Sequence, residues 1–111
     1  MTLEKIIELI ESGRQLGVSK IVKVNKTDIA YTYAVEKHNN KYIVYIDEVN
    51  LDEMYYDELN DTEQIYVYNS FSEFMDNFVH KYDVKFEDFS VSKGQKFFNL
   101  DNCLKKLNLG E

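Results

Sequence analysis

Leu3, Ile6, Ile7 and Ile10 recur at three- and four-residue spacing among Glu4, Lys5, Glu8 and Glu11, which predicts a helix over 3–12 with one apolar face. Thr2 can cap its start, and Gly13 can end it in a left-handed conformation. From Lys20 to Val24 the pattern changes: Val22 and Val24 alternate with Lys23, and Asn25-Lys26-Thr27-Asp28 supplies turn-forming side chains. Ile29 to Glu36 then separates into Ile29, Tyr31, Tyr33, Val35 on one side and Ala30, Thr32, Ala34, Glu36 on the other, the period of a half-buried strand. His38-Asn39-Asn40 reverses the chain. Lys41 to Glu48 is the strongest strand, with Tyr42, Val44 and Ile46 facing one way and Ile43, Tyr45 and Asp47 the other. It is expected at the sheet's centre, covered on both faces, or covered on one with a Tyr-bearing surface on the other.

Asn50 to Asp61 reads as a loop or a short helix, since Leu51, Met54, Tyr55 and Leu59 fit helical spacing among acids. Gln64 to Tyr68 resumes alternation as a fourth strand. Ser70-Phe71-Ser72-Glu73 is a capping box, so a helix should run from there to about Val79 with Phe71, Phe74, Met75, Phe78 and Val79 in the core. Tyr82, Val84, Phe86 and Phe89 suggest irregular or short helical packing, and Ser92-Lys93-Gly94 a turn. Leu100 to Leu107 forms a last helix with Leu100, Cys103, Leu104 and Leu107 inward. The order is helix, three strands, acidic connection, strand, helices. It predicts a single α+β domain over 1–111: a mainly antiparallel four-stranded sheet packed with an N-terminal helix and C-terminal helices, because the links between strands are too short for crossovers.

At 111 residues there is room for one core, and an aromatic content of 14% is too high for a disordered acidic tail. The single cysteine, Cys103, rules out an internal disulfide and multi-cysteine zinc sites, and it is expected as a small buried hydrophobe. Thr2-Leu3-Glu4-Lys5-Ile6-Ile7-Glu8 mixes acids into its apolar positions, unlike a signal peptide, and no apolar run approaches a membrane span. The expected location is cytoplasmic.

Charge changes the picture most. From Tyr42 to His80, 39 residues carry no Lys or Arg but ten carboxylates: Asp47, Glu48, Asp52, Glu53, Asp57, Glu58, Asp61, Glu63, Glu73 and Asp76. The whole chain is at −7, so the remainder is net positive. Such a field repels phosphate and attracts basic protein, which argues against nucleic-acid binding. The only histidines, His38 and His80, are far apart in sequence, one in a turn and one at a helix end, and neither has a second histidine or a cysteine near enough to share a metal. The acidic window lacks the glycine that a calcium loop needs, and the four glycines form no phosphate-binding pattern. No catalytic residue, metal or cofactor is expected, and the chain reads as a non-enzyme.

What remains is a surface for protein. Nine tyrosines are present, and Tyr55-Tyr56 lie inside the acidic run, where aromatic anchors within a carboxylate rim could meet Lys and Arg of a partner. The candidate contact residues are Asp47, Asp52, Glu53, Tyr55, Tyr56, Asp57, Glu58, Asp61 and Glu63. The small acidic chain, its Tyr-rich meander (Tyr31-Thr32-Tyr33 and Tyr42-Ile43-Val44-Tyr45-Ile46-Asp47) and the segment Asn69-Ser70-Phe71-Ser72-Glu73-Phe74-Met75-Asp76-Asn77-Phe78 resemble the immunity proteins of bacterial polymorphic-toxin and contact-dependent growth inhibition systems. The likeness is one of size, charge and style over most of the chain. It implies a cytoplasmic inhibitor that binds a cognate toxin, often a basic nuclease, and blocks its active site or substrate-binding face. The alternative is a regulatory or structural protein-binding domain, such as a homodimer formed through an apolar sheet face.

Overall fold

A computed structural model describes residues 2–51, 62–79, 85–91 and 96–108, with the backbone alone for Thr62, Val79 and Phe86. Helix α1 (Leu3–Glu11) begins where expected, with the Thr2 hydroxyl accepting from the Lys5 amide at 3.2 Å. It buries Ile6 and Ile10, and Leu9 packs beside them; Leu3, expected inside, is 44% exposed. Strands β1 (Leu16–Val24), β2 (Thr27–His38), β3 (Lys41–Asn50) and β4 (Thr62–Tyr68) follow as an antiparallel meander. The first two turns have two residues each, and Asn25, Lys26, Asn39 and Asn40 all hold φ between 50° and 69°. Positive φ at both central positions matches the twist of the flanking strands, and asparagine tolerates it better than most side chains.

Among the described residues the sheet has five strands rather than four, in the order β4-β3-β2-β1-β5. The added strand, β5 (Ser90–Val91), pairs with Gly17 and Leu16, and two residues are too few to show an alternation. β2 therefore takes the middle and β3 stands next to it. β1 starts four residues earlier than its pattern suggested, because Gly17 and Ser19 interrupt the apolar alternation. Gly17 is required: a Cβ there would stand 2.8 Å from the Tyr33 carbonyl oxygen and 2.9 Å from a Phe97 ring carbon.

Both faces of β3 are covered, the first of the two arrangements that its apolar sides allowed. On one face Tyr33, Val35, Tyr42, Val44 and Ile46 pack with α1 and with the segment after β4. On the other Ala34, Ile43 and Tyr45 pack with Phe98 and with Cys103 and Leu104 of helix α3 (Leu100–Lys106). The segment after β4 is helix α2 (Phe71–Phe74), which widens into a π turn over Met75–Val79. Its cap is the expected one: Ser70 Oγ accepts from the Glu73 amide at 3.1 Å, while Glu73 Oε2 reaches one residue further back, to the Asn69 amide at 3.3 Å. Phe74 and Phe78 are fully buried and their rings lie 5.4 Å apart. Phe86–Asp88 is a 3₁₀ turn leading to buried Phe89. Of the segment Asn50 to Asp61, expected as a loop or a short helix, Asn50 instead closes β3 and Leu51 is a turn; the rest of it, and the readings of His80, Tyr82, Val84 and Ser92-Lys93-Gly94, lie outside the described residues, as do the side chains of Val79 and Phe86. Among the described residues no helix is long and apolar enough to cross a membrane.

Candidate functional site

The register of β3 and β4 sets Asp47 opposite Glu63 and Glu48 opposite Thr62. On the other side of β3, Glu48 stands opposite Tyr31. Carboxylates thus gather at one end of these two strands, and the acidic run 52–61 joins that same end in sequence. Like charges opposite each other on a ladder are unfavourable. Of the candidate contact residues, the structure describes Asp47 and Glu63 and brings them together; Asp52, Glu53, Tyr55, Tyr56, Asp57, Glu58 and Asp61 lie outside the described residues.

Glu63 also has an internal role. Lys106 of α3 donates to its Oε1 at 2.8 Å, and the Tyr45 hydroxyl donates to its Oε2 at 3.0 Å. The Lys106 bond, then the Tyr45 bond, hold this carboxyl below the usual range, while burial and the Glu63 bond push the Tyr45 phenol strongly upward. The opposite face repeats the device. Glu11 of α1 accepts from Lys37 and from the Tyr42 hydroxyl, and these two bonds lower its carboxyl as well. On each face, then, one carboxylate ties a helix to a strand tyrosine, by way of a lysine and a phenol.

Most described tyrosines serve the core. Tyr33, Tyr42, Tyr45 and Tyr68 are at most 9% exposed, and only Tyr31 and Tyr66 are partly open. Tyr42 lies between Phe71 and Phe74, at 5.8 and 5.7 Å, and Tyr45 stacks on Phe98 at 5.2 Å. Tyr31 stacks on Tyr33 at 6.1 Å, and Tyr66 on Tyr68 at 6.4 Å. Lys20 stands over the Tyr33 ring at 5.4 Å. Among the described residues, the aromatic richness seen in sequence is thus largely a property of packing.

Two features escaped the sequence reading. Gln15, at 4% exposure, accepts at Oε1 from the Phe97 and Phe98 amides (2.7 and 3.2 Å) and donates from Nε2 to Glu36 Oε1 (2.9 Å) and the Phe98 carbonyl (3.1 Å). A lone glutamine in a polar stretch carries no signal of this. The second is the outer half of β1, where Ile21 is 66% exposed, Val22 37% and Val24 43%. The inner half of this strand packs with α1 through Leu16 and Val18, whereas these three side chains stay open.

His38 ends β2, its Nε2 3.2 Å from Asn39 Nδ2, and Cys103 is buried as expected, with burial raising its thiol pKa. Among the described residues no three His, Cys, Asp or Glu side chains converge to hold a metal ion. An open cleft of about 500 Å³ lies beside the start of α3, and the described residues lining it are Lys96, Phe98, Asn99, Leu100 and Asp101. Comparison with known protein families, curated proteins and solved structures found no match.

Proposed function

We propose that this chain is a non-catalytic inhibitor that binds a basic protein partner, in the manner of a bacterial immunity protein that neutralises a cognate toxin, foremost a nuclease domain. The observation supporting this reading is the gathering of Asp47, Glu48 and Glu63 at the strand ends that flank the acidic run 52–61. A nuclease must carry positive charge where it grips phosphate, so an acidic surface is attracted to the region it would have to occlude. The contact set is Asp47, Asp52, Glu53, Tyr55, Tyr56, Asp57, Glu58, Asp61 and Glu63. Within it the carboxylates set the approach rate, and Tyr55 and Tyr56 supply buried area. Glu63 adds to the field while its oxygens hold Tyr45 and Lys106. Such an inhibitor would act in the cytoplasm of the cell that makes the toxin. A second reading, a regulatory or structural domain that pairs with a second copy, is favoured by the exposed Ile21, Val22 and Val24.

The test is co-purification with the product of the adjacent open reading frame at low and high salt, followed by a nuclease assay of the free and bound partner. Stopped-flow association is then compared for the native chain and a quadruple variant, Asp52→Asn, Glu53→Gln, Asp57→Asn and Glu58→Gln. Association of the variant should be slower by about tenfold or more at low salt, with a flatter salt dependence. An unchanged rate and salt slope would remove the proposed surface, and a partner with no affinity for the native chain would remove the function.

A further inference from the structure

Parity along the strands decides which face of the sheet each carboxylate at the acidic end occupies. Glu48 is in phase with Tyr42, Val44 and Ile46, so its side chain lies on the face that carries α1 and α2. Asp47 is in phase with Ile43 and Tyr45, and Glu63, opposite it in the register, shares the α3 face. The two faces leave these groups in different states. Glu63 is held by Lys106 at 2.8 Å and by the Tyr45 hydroxyl at 3.0 Å, and Oδ1 of Asp47 is buried. Glu48 is half-buried, and among the described residues no hydrogen bond or ion pair engages it: the cations nearest to carboxylates pair Lys5 with Glu8, Lys23 with Asp28, Lys37 with Glu11 and Lys106 with Glu63.

Glu48 stands opposite Tyr31, and Tyr31 stands opposite Lys20, which sets an acid, a ring and a cation side by side across three strands. His38 and Lys41 flank a two-residue turn and form a hydrogen-bonded pair, and bonded pairs alternate along the ladder, so Tyr31 and Glu48 form a pair of the other kind. Side chains of such pairs stand closest together. Tyr31 is half-buried and stacks on Tyr33 with the ring planes 4° apart. Burial, then Tyr31 and the charge of Glu48, push the Tyr33 phenol upward, which agrees with a carboxylate facing these rings. Lys20 Nζ lies 5.4 Å from the Tyr33 centroid, so the stacked pair already seats one cation. Beyond Tyr31 the same face carries Val22 and Val24, 37% and 43% exposed.

We propose that Tyr31 and Glu48 form a receptor for an arginine side chain of a basic partner protein. The inference rests on the inhibitor reading above and adds to it the face and the side chains that the partner meets. A guanidinium is planar, so it lies on the open face of Tyr31 while its edge donates two parallel hydrogen bonds to the Glu48 carboxylate. An ammonium offers no such plate, and it makes one of the two contacts at the expense of the other. Val22 and Val24 give the aliphatic stem of the arginine an apolar bed. Charge complementarity selects a cationic occupant, because residues 42–80 contain no Lys or Arg and Glu48 is left uncompensated among them. Lys20 repels an incoming cation, so its removal should strengthen binding. The partner therefore docks on the face bearing α1 and α2, and Asp47 and Glu63, on the α3 face, act on it only through the field.

The test is an NMR titration of the full chain, at low salt, with the peptide acetyl-Gly-Arg-Gly-amide and with its lysine counterpart. It needs no natural partner, so its failure leaves co-purification to judge the inhibitor reading, and a failed co-purification leaves the receptor measured. The arginine peptide should shift the Tyr31 ring and Glu48 carboxyl signals and bind at least about threefold more tightly than the lysine peptide. Glu48→Gln should weaken it about fivefold or more, and Glu63→Gln less than that. Tyr31→Phe, which keeps the ring face, should bind within about twofold of the native chain, whereas Tyr31→Leu should lose about threefold. Lys20→Met should bind more tightly than the native chain. Equal affinity for the two peptides, no effect of Glu48→Gln, or largest shifts at Glu63 and Lys106 would overturn the proposal. So would Tyr31 shifts that follow protein concentration without peptide, since they would put Arg14 of a second copy, the chain's only arginine, in the receptor.

Discussion

Replacing Gln15 with methionine keeps the length of the side chain and creates little cavity, but it removes four hydrogen bonds at once. The Phe97 and Phe98 amides lose their acceptor, and the Phe98 carbonyl and the Glu36 carboxylate lose their donor. Gln15 and Glu36 are at most 9% exposed, so water cannot simply take over. At about 1 kcal/mol for each orphaned group, the low end of the range for buried polar atoms, the loss is near 4 kcal/mol, a large part of the roughly 5–15 kcal/mol that holds a domain folded. The damage should be local first. Phe98, stacked on Tyr45, leads into α3, so hydrogen exchange at 97–106 should accelerate while Ile6 to Ile10 of α1 keep their protection. Urea denaturation gives the magnitude, and a loss below about 1 kcal/mol would refute the claim that Gln15 pins this layer. Gln15→Glu makes a sharper variant, because it can still accept from both amides but sets a second carboxyl against Glu36. One of the two should then hold a proton in the folded state that the unfolded chain releases, so the stability of that variant should rise as pH falls from 7 to 5.

Gly17→Ala should cost about 2 kcal/mol by overpacking, read from the urea midpoint, because its Cβ meets the Tyr33 carbonyl, Ala34 Cβ and Phe97 within 3.0 Å. Ser70→Ala should cost about 1 kcal/mol through the lost cap on α2, and Ser70→Asp should restore most of it. Glu11 and Glu63 have carboxyl pKa values lowered by folding, so their contribution is present above the unfolded value of about 4.3 and is lost as pH falls through the folded values. A thermal melt series from pH 6 to 2 should therefore steepen in its loss below about pH 4. Lys106→Met should flatten that slope, by a small amount that high salt reduces further, because Glu63 is 41% exposed.

Element type was legible wherever local chemistry acts alone. The period of Ile29–Glu36, the two apolar sides of β3, the cap at Ser70 and the inward face of α3 are all properties of neighbouring residues, and each appears as read. Local pattern is enough there because side-chain direction follows from backbone period. The acidic window was equally visible, since charge is a count, and the structure describes only Asp47 and Glu63 of the residues read from it as a contact set. Other features depended on residues distant in sequence. β5 exists because Ser90 and Val91 find the edge of β1. Gln15 is buried because Phe97 and Phe98 close over it, more than eighty residues later. Gly17 helped conceal the start of β1 for the same reason: no side chain fits where Phe97 approaches, and sequence does not say which element will.

The tyrosines mark the division most clearly. Composition established that aromatic area was abundant, and alternation established which tyrosines share a face. Whether that area meets solvent or core was decided by helices from both ends of the chain, which cover Tyr33, Tyr42, Tyr45 and Tyr68 but stop short of Ile21, Val22 and Val24. Burial is a relation between elements, so the surface left open on this protein became visible only once its helices had taken their places on the sheet.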